Sequence, residues 1–393
     1  MTKTVSATVM RARRTTQGNV VVVAGLGFLA VTIAAVMQGG LRHGLVAPIG
    51  LGAGIALYHA AFGFTSAWRR MLSETRSVGL RAQLVMVGLT IIVFFPLLER
   101  GAVLGQPVIG FISPIGVALS LGAFLFGIGM QLGGGCGSGT LYAVGSGSVR
   151  MAVTLATFIA GSLVATANPL DWQHWTEFGS FSIVERIGAA PAIAVSLACL
   201  ALVYIVVQRM EQLRHGGVQV LWSGRAGDLV RGPWPLIGGA VALAVVNIAT
   251  LVVAGRPWGI TAALALWGAK LAAAMGVDVG SWSYWRGDLA LDASVFTDVT
   301  SVMNFGLMLG ALAAAGFAGR FEPRAKLPPR SLLAAIIGGL LMGIGARLAT
   351  GCNIGAFFSG VASGSLHGLV WLIFAVPGNA VGVRLRPLFR LDG

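Results

Sequence analysis

The chain has 393 residues, 56% of them hydrophobic and only 10% charged, with a mean hydropathy of +0.84 and a formal net charge of +14. This composition excludes a soluble globular domain and describes an integral membrane protein that crosses the bilayer many times. A charge of +14 would suit a polyanion binder only if it formed one patch, and here it is spread over alternate loops, so nucleic acid is excluded as a partner.

In chain order, the N-terminal segment 1–18 carries Lys3, Arg11, Arg13 and Arg14 ahead of the first apolar run. That run is too long for a secretory signal, and no small-residue cleavage site follows it, so it reads as a spanning helix. Segments of the roughly 20 apolar residues needed to cross a bilayer then lie at 19–38, 44–61, 80–98, 108–132, 148–167, 189–208, 235–255, 296–319, 331–348 and 365–383. About ten spans result. They fall into a first half, 19–208, and a second, 235–383, joined by a basic linker at 209–234 and followed by a short tail at 384–393.

Basic residues recur on one side of this pattern. They are the N-terminal group, Arg69, Arg70, Arg76 and Arg81, then Arg150, the linker with Arg209, Arg214, Arg225 and Arg231, the loop from Arg320 to Arg330, and Arg384, Arg386 and Arg390. Opposite them lie acidic loops with Asp171, Glu177 and Glu185, and with Asp278, Asp288 and Asp292. The positive-inside rule makes the basic side cytoplasmic, with both termini there.

The most specific feature is a motif that occurs twice. Gly127–Gly139 reads Gly-Ile-Gly-Met-Gln-Leu-Gly-Gly-Gly-Cys-Gly-Ser-Gly, and Gly343–Gly355 reads Gly-Ile-Gly-Ala-Arg-Leu-Ala-Thr-Gly-Cys-Asn-Ile-Gly. Seven of the thirteen positions agree, and the two cysteines, Cys136 and Cys352, stand 216 residues apart. A fainter repeat precedes each: Gly63-Phe64-Thr65-Ser66-Ala67 and Gly259-Ile260-Thr261-Ala262-Ala263. Five spans per half would invert the second half relative to the first, as the basic loops independently require. The expected fold is therefore all-α, with two inverted repeats and central Gly-Cys loops.

Glycine-flanked short segments at 63–72, 138–147, 259–276 and 354–364 are candidate re-entrant helices. A helix that begins inside the membrane presents unpaired N–H groups and a partial positive charge, which attract a small anion. Irregular backbone at that depth requires a surrounding cavity or protein. Candidate path residues are Cys136 and Cys352 with their neighbours Gly135, Gly137 and Gly351, then Gly63 and Thr65, Gly259 and Thr261, and the intramembrane cations Arg347 and Lys270. A thiol is a weak, soft donor suited to a polarizable sulfur or selenium atom.

Blander readings compete. The glycine runs also suit helix packing, and Arg347 also suits a loop cap. Lys270 can reach the interface. Trp258 reads as an interfacial anchor and Cys199 as packing within the sixth span; His59 is left open and His174 is placed on the outer surface. Neither zinc spacing nor a cofactor motif in its required context occurs, so no cofactor is expected.

At the two Gly-Cys motifs, together with Gly63-Phe64-Thr65-Ser66-Ala67-Trp68-Arg69 and the stretch from Arg256 to Lys270, the chain resembles the YeeE/YedE sulfur-transport family over most of its length. The resemblance implies a bacterial inner-membrane thiosulfate uptake protein whose path cysteines hydrogen-bond the passing anion, here Cys136 and Cys352. Many members carry a further cysteine where this chain has Gly63, which leaves a two-cysteine path or a different sulfur or selenium anion open. The leading expectation is import of thiosulfate or a related sulfur anion, without enzymatic turnover. The alternatives are a membrane thiol enzyme relaying sulfane sulfur as a persulfide to a cytosolic carrier protein, and a structural subunit.

Overall fold

A computed structural model describes residues 15–167, 172–222, 229–323 and 327–391. Lys3, Arg11, Arg13, Arg14, Asp171, Arg225 and residues 324–326 of the last basic loop lie outside them. The first half contains α1 (Gly18–Gly44), α2 (Val46–His59), α3 (Phe64–Glu74), α4 (Val78–Arg100), α5 (Val117–Gly133), α6 (Gly137–Gly145) and α7 (Val149–Ala165). A short α8 (Ile183–Ile187) leads into α9 (Ala189–His215). Then follow α10 (Leu236–Ala254), α11 (Thr261–Ala274), α12 (Val299–Phe317), α13 (Pro329–Leu348), a π-helical segment (Asn353–Ser359) that runs into α14 (Gly360–Ala362), and α15 (Leu366–Leu385).

Among the described residues, nine helical stretches are long and apolar enough to cross a membrane. The tenth expected span is α7, which at 17 residues falls just short of that length. The chain is a multi-pass membrane protein. The four short segments expected to re-enter are all helical, as α3, α6, α11 and the segment Asn353–Ala362. One expected span needs correction: the apolar run at 108–132 becomes helical only at Val117. Pro107, Gly110, Pro114 and Gly116 interrupt helix formation there. Residues 114–116 instead form a strand paired antiparallel with Glu177–Ser180, and Phe111 N donates to Ser363 Oγ at 2.9 Å.

Contacts between loops join them at two ends. At the basic end, Gln17 N donates to Gly316 O (2.9 Å) and Trp234 N to His59 O (2.9 Å). Nearby, Glu211 is enclosed by Ser77, Arg76, Arg81 and the amide of Gln219, tying α9 and the start of the linker to α4. At the other end, Ile109 N donates to Gly255 O (2.9 Å) and Ile183 N to Gly364 O (2.8 Å).

Helix pairings exchange when α1–α7 are exchanged with α9–α15, which counts α9 with the second set rather than with the first half. Helix α2 packs on α12 and α10 on α4; α7 packs on α13 and α15 on α5; α1 lies on α12 and α9 on α4. Most of α1 and α9 remains exposed, giving each of these two sets one peripheral helix. Cys199 sits on α9 and is exposed, so it does not fill a packing gap between helices.

At the centre α5 and α13 cross through glycines, because small residues let backbones approach where no water-driven collapse is available. A Cβ added at Gly345 would stand 2.6 Å from Gly122 O and 2.7 Å from Phe126 N, both backbone atoms with nowhere to go. Gly345→Leu should therefore lower the detergent melting temperature sharply, by about 1–3 kcal/mol of overpacking or more. Thermal unfolding of the purified variant checks this, and an unchanged melting point would refute the close crossing.

Candidate functional site

The crossing helices stop inside the protein, and each short helix starts where its partner stops. Helix α5 ends at Gly133, and Gly134 turns the chain with a positive φ of 91°. Cys136 follows as the extended residue preceding α6, with φ −82° and ψ −168°. In the second half Thr350 takes positive φ (57°), and Cys352 is extended ahead of the π-helical segment, with φ −117° and ψ −166°. Both thiols are enclosed, at 1% and 0% exposure.

The two turns meet. A Cβ built on Gly137 would stand 3.0 Å from Cys352 Sγ and 3.2 Å from Ile260 Cγ2. Glycine at 137 is thus the opening through which the second half's thiol reaches the first half's Gly-Cys turn. Cys136 Sγ lies 3.5 Å from Ser138 Oγ, and Thr140 Oγ1 donates to Cys136 O at 2.8 Å, fixing the turn. Backbone amides of Ser138 and Gly139 face Cys136 Sγ, and those of Ile354 and Gly355 face Cys352 Sγ. Since the first N–H groups of a helix have no partner within it, the site offers donors and soft thiols but no carboxylate from these turns.

Behind each cysteine, the aligned residue five positions earlier reaches the Gly-Φ-Thr segment of its own half. Gln131 Nε2 donates to Thr65 O (3.1 Å) and to Asn379 Oδ1 (2.7 Å). Arg347 Nη2 donates to Thr261 Oγ1 (2.9 Å) and Nη1 to Tyr284 OH (3.2 Å). Arg347 is 7% exposed, both of these partners are neutral hydroxyls, and its Nε has none among the described residues. A buried guanidinium without a carboxylate is costly unless an anion completes it.

The structure therefore brings together Cys136, Gly137, Cys352 and Ile260, with Thr261 and Arg347 one bonded step away. Gly135 packs against Met151 Cε and the backbone of Gly139 and Thr140, and Gly351 against Ala356, so both shape their turns. Gly63 precedes α3 and sits beside Ser66, lining a cavity of about 80 Å³ with Arg70, Arg76 and Gln83 toward the basic end. The Thr65 hydroxyl is buried without a partner among the described residues. Gly259 faces open space, since an added Cβ there would meet nothing within 4 Å.

Lys270 is not brought to the cysteines. Its Nζ donates to Leu291 O (2.6 Å) and Ala293 O (2.5 Å), holding the loop after α11. Trp258, read as an interfacial anchor, is instead fully buried; its amide donates to Asn247 Oδ1 and its carbonyl accepts from Ser359 Oγ. The apolar turn Pro257-Trp258 packs inward because the second short helix begins there. His174 is exposed at the acidic end, as expected.

Sequence reasoning missed Tyr284, which no motif marks, and Asn304, whose Nδ2 donates to Ile260 O at 3.0 Å. It also passed over Asn353, although this residue stands inside the second motif at the position where the first has Gly137.

Residues 59–381 match the family model described as "Sulphur transport". The chain is 29% identical over 338 residues to the thiosulfate transporter TsuA of Spirochaeta thermophila, covering 83% of this chain and 93% of that one. It is 24% identical over 334 residues to TsuA of Escherichia coli, covering 83% and 89%. Against the probable transporter YedE of Escherichia coli the identity is 33% over 160 residues, and the match spans only 40% of either chain. With most of its length matched, including both Gly-Cys turns, the chain belongs to the YeeE/YedE sulphur-transport family.

Proposed function

We propose that this protein carries thiosulfate, or a closely related small sulfur anion, inward across the bacterial inner membrane. The observation that carries the proposal is the meeting of two Gly-Cys turns with enclosed thiols, one from each half, with Cys352 Sγ seated against the side-chain-free Gly137. A path needs donors strong enough to replace hydration and weak enough to release the anion. Thiols and backbone N–H groups meet both demands. The anion enters from the acidic-loop end past Thr261 and Arg347, passes Cys352 and then Cys136, and leaves by the cavity beside Gly63, Arg70 and Arg76. The direction follows from placing the basic loops and both termini in the cytoplasm. With α9 counted in the second set, five spans fall in each set, which makes the repeats inverted, with the site between them.

Relatives named as transporters of thiosulfate support the substrate class. The test is uptake of labelled thiosulfate by cells lacking other sulfur importers. Expression of the wild-type chain should restore uptake, and failure by properly inserted protein would refute the proposal. A persulfide relay to a cytosolic carrier would instead leave one extra sulfur on Cys136 or Cys352 after exposure to substrate, which mass spectrometry of the same membranes detects.

A further inference from the structure

One buried side chain at the junction has no task in the fold. Asn353 directly follows Cys352, is 0% exposed, and finds no hydrogen-bond partner for either Nδ2 or Oδ1 among the described residues. Buried carboxamides are nearly always bonded, because desolvating a donor and an acceptor without compensation is costly. A packing role would be filled better by Leu or by the glycine at the aligned position 137.

The surroundings leave room for a ligand. Two residues on, Gly355 is itself buried, yet a Cβ there would meet no atom within 4 Å. The turn that holds both is widened: Ala356 N (2.9 Å) and Phe357 N (3.3 Å) share the carbonyl of Cys352. A π-helical turn of this kind is uncommon and recurs at functional sites. The first half has an ordinary helix at the same place, and the π-helical segment packs against it. The two stations therefore differ in one useful respect: glycine at 137 admits the opposite thiol, and asparagine at 353 supplies a polar group.

We propose that Asn353 is the selectivity residue of the path, an inference that rests on the transport reading above. Nδ2 donates to one oxygen of the sulfur oxyanion. Oδ1, an acceptor, repels the compact charge of a second oxygen more strongly than the diffuse charge of the larger sulfur, and so leaves that side to the anion's sulfur, which the thiols of Cys352 and Cys136 face. The amide thus orients an anion that has a soft end and a hard end. A symmetric oxyanion such as sulfate must set an oxygen against Oδ1 and is turned away.

The test measures uptake of labelled thiosulfate, and its inhibition by sulfate, in cells with matched membrane levels of wild type, Asn353→Ala and Asn353→Asp. Loss of a hydrogen bond to a charged ligand should raise KM for thiosulfate about tenfold or more in Asn353→Ala, with maximal uptake held within about threefold. Inhibition by sulfate relative to thiosulfate should strengthen. Asn353→Asp, nearly identical in shape, should lose uptake because its carboxylate repels the anion, and it carries the test should the alanine variant fail to insert. An active wild type with unchanged KM and unchanged sulfate inhibition in whichever variant inserts would overturn this inference alone. A wild type that takes up no thiosulfate would overturn the transport reading and this inference with it.

Discussion

Cells carrying Cys136→Ala together with Cys352→Ala should lose thiosulfate uptake by about a hundredfold, with each single change costing about tenfold. Each thiol offers one hydrogen bond to a charged ligand, and such bonds contribute on the order of 1.5–3 kcal/mol. Their loss cannot be made good by water, because both sites are closed to it. Membrane insertion should be unaffected, since each sulfur fills only a small buried volume that alanine nearly fills. The measurement is initial uptake at matched protein levels, with melting in detergent as the control. Full uptake by the inserted double variant would show that the enclosed thiols are packing atoms and would remove the chemical basis of the path. Serine at both positions separates the two properties of a thiol. It restores a donor but not a soft one, so partial recovery assigns the effect to hydrogen bonding, and none assigns it to sulfur contact.

The second large effect is expected from Arg347→Gln, which installs the side chain that the first half carries at Gln131. The guanidinium is 7% exposed and rests on Tyr284 OH and Thr261 Oγ1, neither of which balances its charge. On the proposed path, an anion arriving at Cys352 would meet a cation held only by neutral hydroxyls, in surroundings where attraction is much less screened than in water. Removing it should raise KM for thiosulfate at least tenfold. The same change relieves a buried, uncompensated charge, so stability should hold or increase. Measured together, a raised KM with an unchanged or higher melting temperature identifies a ligand-facing cation. A lowered melting temperature with unchanged KM would identify a structural one.

Much of this arrangement was legible in the residues. Apolar runs located the spans because a bilayer sets a length that few other constraints imitate. Glycine flanks located the short helices because only such backbone turns tightly at that depth. The duplicated cysteine motif located the meeting point, although spacing alone could not say that the two turns touch. Elsewhere the local signal misled. Pro257-Trp258 has the composition of an interfacial anchor, yet the second short helix starts inside the protein and draws the indole in with it. Lys270 falls at an intramembrane position in the sequence, yet its long stem lets the ammonium reach the carbonyls of Leu291 and Ala293. Residues 108–116 are apolar without being helical, because prolines and glycines set the backbone and hydrophobicity records only where it is buried. Tyr284 was invisible, since a lone tyrosine in a polar loop has no pattern that announces its partner.

The interleaving of the halves has a mechanical consequence. Helix α2 is seated on α12, α13 is wedged between α5 and α7, and α15 lies on α5, with carbonyls pressed into the spaces that glycines leave. A carrier that rocks one half against the other would have to pull these backbones apart and refill the gaps in every cycle. On the proposed transport reading the body would act as a fixed frame, with any motion confined to the two thiols and the turns that bear them. Such a frame has no lever with which to drive an anion uphill by its own rearrangement. On the transport reading proposed above, net flow through such a frame would follow the gradient of whatever shares the path.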